Sequence, residues 1–263
     1  ANEPLSTRIL VVFWQHPFLA EFVSWFRERR QPILLYGGAA RDLIMFGPSA
    51  APRDYDFVLE SGGMEELVEK FHKNVIGRNR FGGAQISYGE LKIDCWALKD
   101  TWAFKDGHLS LRTWRDLADA SIFDIDGVVL RIADRISVEL GPFERARRNR
   151  EIGLCFPGTF NRTIALFRAL TLAYRYSFSI NQELWEELLS NGKDFEPALF
   201  KDLTIRRHKA GGIHQFSSFC IHALPERHWE VRQALMELKD TTEWRDSQMS
   251  LELDLIDGQR AGE

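Results

Sequence analysis

The chain has little of several things, and each shortage excludes a class. Its 263 residues hold three cysteines, Cys95, Cys155 and Cys220, far apart and odd in number. That fits neither a disulfide framework nor a clustered cysteine site for zinc, and a reducing, cytoplasmic setting is expected. No uncharged run reaches the roughly 18 residues of a membrane helix, and the start of the chain has no basic-apolar-small leader pattern, so no membrane partner is expected. Net charge is only −4 with a pI near 6.0. There is no global pull toward a polyanion, and any nucleic-acid contact must come from local basic patches. Internal repeats and low-complexity linkers are lacking too.

Apolar residues are plentiful, at 44% of the chain, with eight Trp and nineteen Phe. This is enough for one large or two modest hydrophobic cores. Phe18, Phe22, Trp25 and Phe26 recur at helical spacing and predict an amphipathic helix over 18–30. The short apolar run Ile33–Tyr36 predicts a strand, Gly37-Gly38 a turn, and Ala39–Ile44 a helix. Beyond a loop, Asp54–Leu59 alternates with period two, placing Asp54 and Asp56 on one face and Tyr55, Phe57 and Leu59 on the other. After a helix to about His72, strands at 84–88 and 91–98 are expected to form a hairpin around Gly89-Glu90. In the second of them Asp94 shares a face with Lys92 and Trp96. A further hairpin is expected from 122–125 and 128–132 around Asp126-Gly127.

From about Phe160 the pattern turns helical. Phe160, Ile164, Phe167 and Tyr174 suggest one stripe, and Ser179-x-x-Gln182 a capping box. Further helices are expected over 195–209 and 226–239, with a frayed tail. The fold class expected is α+β, with a sheet domain over 1–140 and a helical domain over 141–263.

Two aspartates at i and i+2 on a strand project side by side, a spacing suited to Mg²⁺, which takes oxygen ligands; a third carboxylate from a neighbouring strand, Asp94, can complete the set. Glycines without Cβ let backbone N–H groups approach phosphate at a helix N-terminus, and Arg41 can add a forked contact. Alone, each element is commonly structural: a turn, a solvated strand edge, a surface carboxylate. Their order and spacing point to transfer of a nucleotide with two Mg²⁺ ions and a nucleoside triphosphate such as ATP.

Tyr36-Gly-Gly-Ala-Ala-Arg-Asp-Leu43 followed by Arg53-Asp-Tyr-Asp-Phe-Val58 resembles the head domain of the poly(A) polymerase and CCA-adding tRNA nucleotidyltransferase class, within the polymerase β-like superfamily. The resemblance implies a small mixed sheet with helices, then a helical neck. It implies that Asp54 and Asp56 bind the catalytic metals, that Gly37, Gly38 and Arg41 hold the triphosphate, and that the acceptor is an RNA 3′ end, tRNA first among them; Asp94 joins the metal set on strand geometry alone. In the neck-like segment Phe167–Ile180, Arg168 sits at the family's Arg-Ala position. Ala165 stands where that family has a base-reading Arg, and Arg162, one turn earlier, is placed to substitute. Trp114-Arg115-Asp116-Leu117 is the nearest counterpart of the family's Arg-Arg-Asp-Phe-Thr segment. Transfer to a protein or small molecule, and a non-catalytic nucleotide- or RNA-binding module, stay open as alternatives.

Phe123-Asp-Ile-Asp-Gly-Val-Val-Leu130 resembles the first motif of haloacid-dehalogenase-type phosphatases, but a hairpin tip explains it more simply. His208, His214, His222 and His228 are spaced too irregularly for a helix-borne zinc site. The clusters Arg145–Arg150 and Arg206–Lys209 suit either a nucleic-acid backbone or triphosphate or solvated helix faces paired with nearby Glu, and Glu144 and Glu151 flank the first cluster.

Overall fold

The strand–turn–helix–strand pattern around Gly37 recurs in the computed structural model, which describes residues 5–50, 52, 54–78, 82–156, 160–189, 195–207, 210–226, 231–233 and 235–237. The chain divides into two compact units, residues 1–149 with 154–158, and residues 150–153 with 159–263.

The first unit is built on a seven-stranded mixed sheet. Its strands are β1 (Ile33–Tyr36), β2 (Asp54–Leu59), β3 (Val75–Arg78), β4 (Ala84–Tyr88), β5 (Leu91–Ala97), β6 (Val129–Ile132) and β7 (Ile136–Glu139). They lie in the order β3-β4-β5-β2-β1-β6-β7. Only β2 and β5 run parallel; every other neighbouring pair is antiparallel. The helices are α1 (Leu5–Gln15), α2 (Pro17–Glu28), α3 (Gly37–Phe46), α4 (Met64–Lys70), α5 (Trp102–Lys105) and α6 (Gly141–Asn149).

Period-two alternation gives the sheet two different faces. One carries Leu35, Tyr55, Phe57 and Ile93 and is covered by α1 and α2, whose Phe13 and Phe22 rings pack at a tilt on Phe57 with centroids 6.4 and 5.0 Å away. Phe18, Phe22 and Trp25 of α2 close around Phe71. His16 caps α2 by accepting from the Leu19 N–H, and Pro17 fills its first position, where a missing N–H costs nothing. The other face buries Leu34, Val58 and Val129 against Leu117, Ala118 and Ala120 of a 3₁₀ segment. Its β2–β5 end carries the carboxylates.

Two expectations for this unit change. Helix α1 and strand β3 were not legible, the latter because its residues alternate between half-buried and exposed and a bulge separates Val75 from Gly77. The hairpin around Asp126-Gly127 does not form. Asp124–Asp126 is a 3₁₀ turn, and β6 hairpins with β7 instead. Gly127 has φ −79°, not the positive φ of a type I′ turn, and both aspartates point inward to arginines.

The second unit holds the short pair β8 (Glu151–Ile152) and β9 (Ser179–Ile180), and helices α7 (Arg162–Tyr176), α8 (Gln182–Leu189), α9 (Pro197–Arg207) and α10 (Ala210–Ala223). Helix α7 is central, with contacts on both sides. Ala165, Leu166, Ala169, Leu170 and Ala173 are buried, while Phe167 packs on Phe200 and Phe216, and Tyr174 on Phe216 and Phe219. The expected single stripe is therefore replaced, and Ile164 is 48% exposed. The expected capping box is also replaced. Asn181 caps α8 through the Leu184 N–H at 2.8 Å, and Ser179 lies in β9. Helix α6 groups with the first unit rather than starting the second. Residues 238–263, including the expected tail, and Lys209 lie outside the described residues. Among the described residues no single helix is long and apolar enough to cross a membrane.

Candidate active site

Strand β1 delivers the chain into Gly37 with φ +66°, a backbone state that L side chains rarely adopt, and α3 starts there. The preceding Tyr36 supplies no side-chain cap, leaving the helix N-terminus without one. The Gly37 N–H is already used, donating to the Val128 carbonyl at 3.2 Å. The amides that follow it carry the positive end of the helix.

The carboxylates face this turn. Antiparallel pairing sets Tyr36 opposite Asp56, and parallel pairing sets Asp56 opposite Asp94 and Asp54 opposite Lys92. Paired residues point to one face, so Asp54, Asp56 and Asp94 share it. A Cβ built on Gly37 would lie 4.0 Å from an Asp56 carboxylate oxygen. Asp54 is exposed, and Asp56 and Asp94 are half-buried. The wall beside them is aromatic. Tyr36 and Trp96 meet edge to face with centroids 6.5 Å apart, and the Trp96 indole donates to Thr101 Oγ1 at 2.9 Å. Burial of the Tyr36 hydroxyl, and next the Asp126 charge, push its pKa well up, so it stays a neutral phenol at neutral pH.

Among the described residues no three His, Cys, Asp or Glu side chains converge into a ready-made metal cage. The donor set still suits Mg²⁺, which is held by one or two carboxylates together with water and substrate phosphate rather than by an all-protein shell.

Arg41 is placed differently from the sequence expectation. It is 4% exposed, its Nε pairs with Asp42 Oδ1 at 3.0 Å, and its Nη1 pairs with Asp126. A forked contact to phosphate would require those pairs to open. In the second unit, Arg162 pairs with Glu187 at 3.3 Å and Arg168 is on the exposed side of α7. Ala165, at the position of the family's base-reading Arg, is 4% exposed and belongs to the core.

Other sequence candidates resolve into structural roles. Asp116 accepts from the Arg112 and Thr113 N–H groups at 2.7 Å each and completes a capping box. These bonds, that from Thr113 foremost, hold its carboxyl below the usual range. Arg115 lies over the Trp114 ring and pairs with Glu139 at 3.1 Å. In the basic cluster Arg147 and Arg148 both bind Glu144, and Arg145 reaches Asp124. Arg206 pairs with Asp202, and His222 bonds the Ser218 carbonyl. His208, His228 and the side chain of His214 lie outside the described residues. The haloacid-dehalogenase reading of Asp124 and Asp126 loses its basis, because both are buried in arginine pairs instead of opening a catalytic loop. Sequence reasoning missed Asp126 as a neighbour of the glycine turn, since it is joined to that turn through Arg41, 85 positions away in the chain.

No family model and no curated protein matches this chain. Solved structures do match in fold. A CCA-adding enzyme in complex with ATP superposes with a TM-score of 0.58 and 16% identity, over 83% of this chain and 55% of that one. A CCA-adding enzyme in complex with CTP gives 0.53 and 16%, over 92% and 55%. The Thermotoga maritima CCA-adding enzyme complexed with tRNA gives 0.52 and 16%, over 90% and 54%. The chain thus spans about half the length of these structures and shares their fold.

Proposed function

We propose that this chain is a metal-dependent nucleotidyltransferase that moves a nucleoside monophosphate from an NTP to an acceptor hydroxyl, with an RNA 3′ end, tRNA first, as acceptor. The observation that carries the reading is the register that sets Asp56 opposite Asp94 and beside the uncapped glycine turn. The fold shared with structures solved with ATP, CTP and tRNA supports the choice of substrates.

In this reading Gly38 and the next amides of α3 receive the triphosphate, because the Gly37 N–H is engaged by Val128. Asp54 and Asp56 are the metal ligands, and bound Mg²⁺ would offset charge on the phosphoryl oxygens. Asp94 takes the proton of the attacking hydroxyl. A bond forms between that oxygen and the α-phosphorus, the α–β anhydride bond breaks, and pyrophosphate leaves. Tyr36, held neutral beside Asp56, adds no competing negative charge.

The test is to incubate the protein with each α-labelled NTP, Mg²⁺ and total RNA or cell lysate. Label in RNA supports the proposal; label in protein or small molecules alone replaces its acceptor; no transfer into any fraction overturns it.

A further inference from the structure

The turn Asp124–Asp126 is neither a hairpin tip nor a nucleophile, yet it meets the glycine turn at two points. Asp126, 4% exposed, takes the Nη1 of Arg41, and two residues later the Val128 carbonyl accepts the Gly37 N–H. A Cβ built on Gly38 would lie 3.5 Å from Arg41 Nη2, so the guanidinium packs directly against the glycine turn. The supporting turn is itself fixed. Arg145 reaches Asp124 at 3.4 Å, and Gly127 has no room for a side chain, its Cβ position lying 2.8 Å from the Ala118 carbonyl.

Asp42 also binds Arg41, but both belong to α3, so that pair does not join the helix to another element. Asp126 can, because it belongs to the segment leading into β6. A buried arginine that loses one of its two carboxylates turns toward whatever acceptors are left, and a helix that begins at a glycine with positive φ has little local stiffness to resist the change.

We infer that Asp126 is a positioning residue for the nucleotide site: by holding the Arg41 guanidinium against Gly38, it fixes the direction of the first amides of α3. This rests on the proposed function for its purpose, though not for its geometry. Asp126 would touch neither nucleotide nor metal.

The experiment compares wild type with Asp126→Asn by amide hydrogen exchange in peptides covering 37–43 and 54–59, and by titration with ATP and Mg²⁺. Exchange over 37–43 is expected to rise about tenfold or more while 54–59 stays unchanged, as for a local opening. ATP affinity is expected to fall about tenfold, as misplacement of a preorganised site would cause. Unchanged exchange at 37–43, or an equal rise in both peptides, overturns the inference, since the latter marks a residue that supports only the fold as a whole. Should Asp126→Asn fail to fold, Arg41→Lys, which keeps the charge and loses the fork, serves for the same comparison. The exchange result needs no turnover. A wild type that transfers no nucleotide defeats the proposed function, while the two peptides still decide the role of Asp126.

Discussion

Asp56 on β2 stands opposite Asp94 on β5 in parallel register, and its carboxylate lies 4.0 Å from where a side chain on Gly37 would begin. Three segments widely separated in sequence are thereby brought to one end of one sheet face. The strands supply the spacing of the acids, and the positive φ of Gly37 supplies the turn that points α3 at them.

Asp94→Asn tests whether the third carboxylate belongs to the site. If it takes the proton of the attacking hydroxyl, NTP transfer should fall about 10²-fold or more, the usual scale for loss of a general base. Thermal stability should hold, as the side chain is half-buried and isosterically replaced. Steady-state kinetics with unchanged transfer would remove Asp94 from the mechanism.

Gly37→Ala should destabilise the fold by about 1–2 kcal/mol, the cost of placing an L side chain in the left-handed region. Space is not the obstacle, since the nearest heavy atom is at 4.0 Å. Gly127→Ala should cost a similar amount, about 1–3 kcal/mol, for the opposite reason. Its φ is ordinary, but its Cβ would lie 2.8 Å from the Ala118 carbonyl. Urea denaturation of the two variants measures both.

Asn181→Ala should cost about 1 kcal/mol through loss of the α8 cap. Ser179→Ala should cost less, because its hydroxyl makes only a 3.4 Å contact with the Arg150 carbonyl. The opposite ranking in thermal unfolding would restore the capping role that the sequence suggests for Ser179.

Asp116 sets a pH dependence. Its folded carboxyl lies below the ordinary value of 3.8, first through the Thr113 N–H and then through Arg112. The folded state therefore binds the proton more weakly than the unfolded chain. Its contribution to stability is present above that ordinary value and is lost as pH falls through the folded one. The stability difference between wild type and Asp116→Asn should be constant near neutrality and shrink in acid. A difference that grows in acid would contradict the assigned cause.

Much of the site was legible because it rests on local rules. The alternation in 54–59 and 91–97 fixes which residues share a face, and Gly37-Gly38 between a strand and a helix marks the turn. Arg41 could not be placed in the same way. Its partner Asp126 is distant in sequence, and helical spacing alone does not say whether an arginine turns outward or under the sheet. The Asp126-Gly127 dipeptide misled for a related reason, because the partners of Asp124 and Asp126, Arg145 and Arg41, lie outside the local window that a turn preference reads. In the second unit Phe167 and Tyr174 were visible as helix-face aromatics, but the burial of Ala165 depends on neighbours that periodicity cannot supply.

Pyrophosphate release with ATP, CTP and RNA measures most directly whether Asp54 and Asp56 hold the metal for nucleotide transfer. Wild type should release pyrophosphate only with Mg²⁺ and acceptor present, and Asp54→Ala plus Asp56→Ala should lower the rate by at least about 10²-fold with folding retained. Equal rates in wild type and the double variant, or no release by either, would contradict the account.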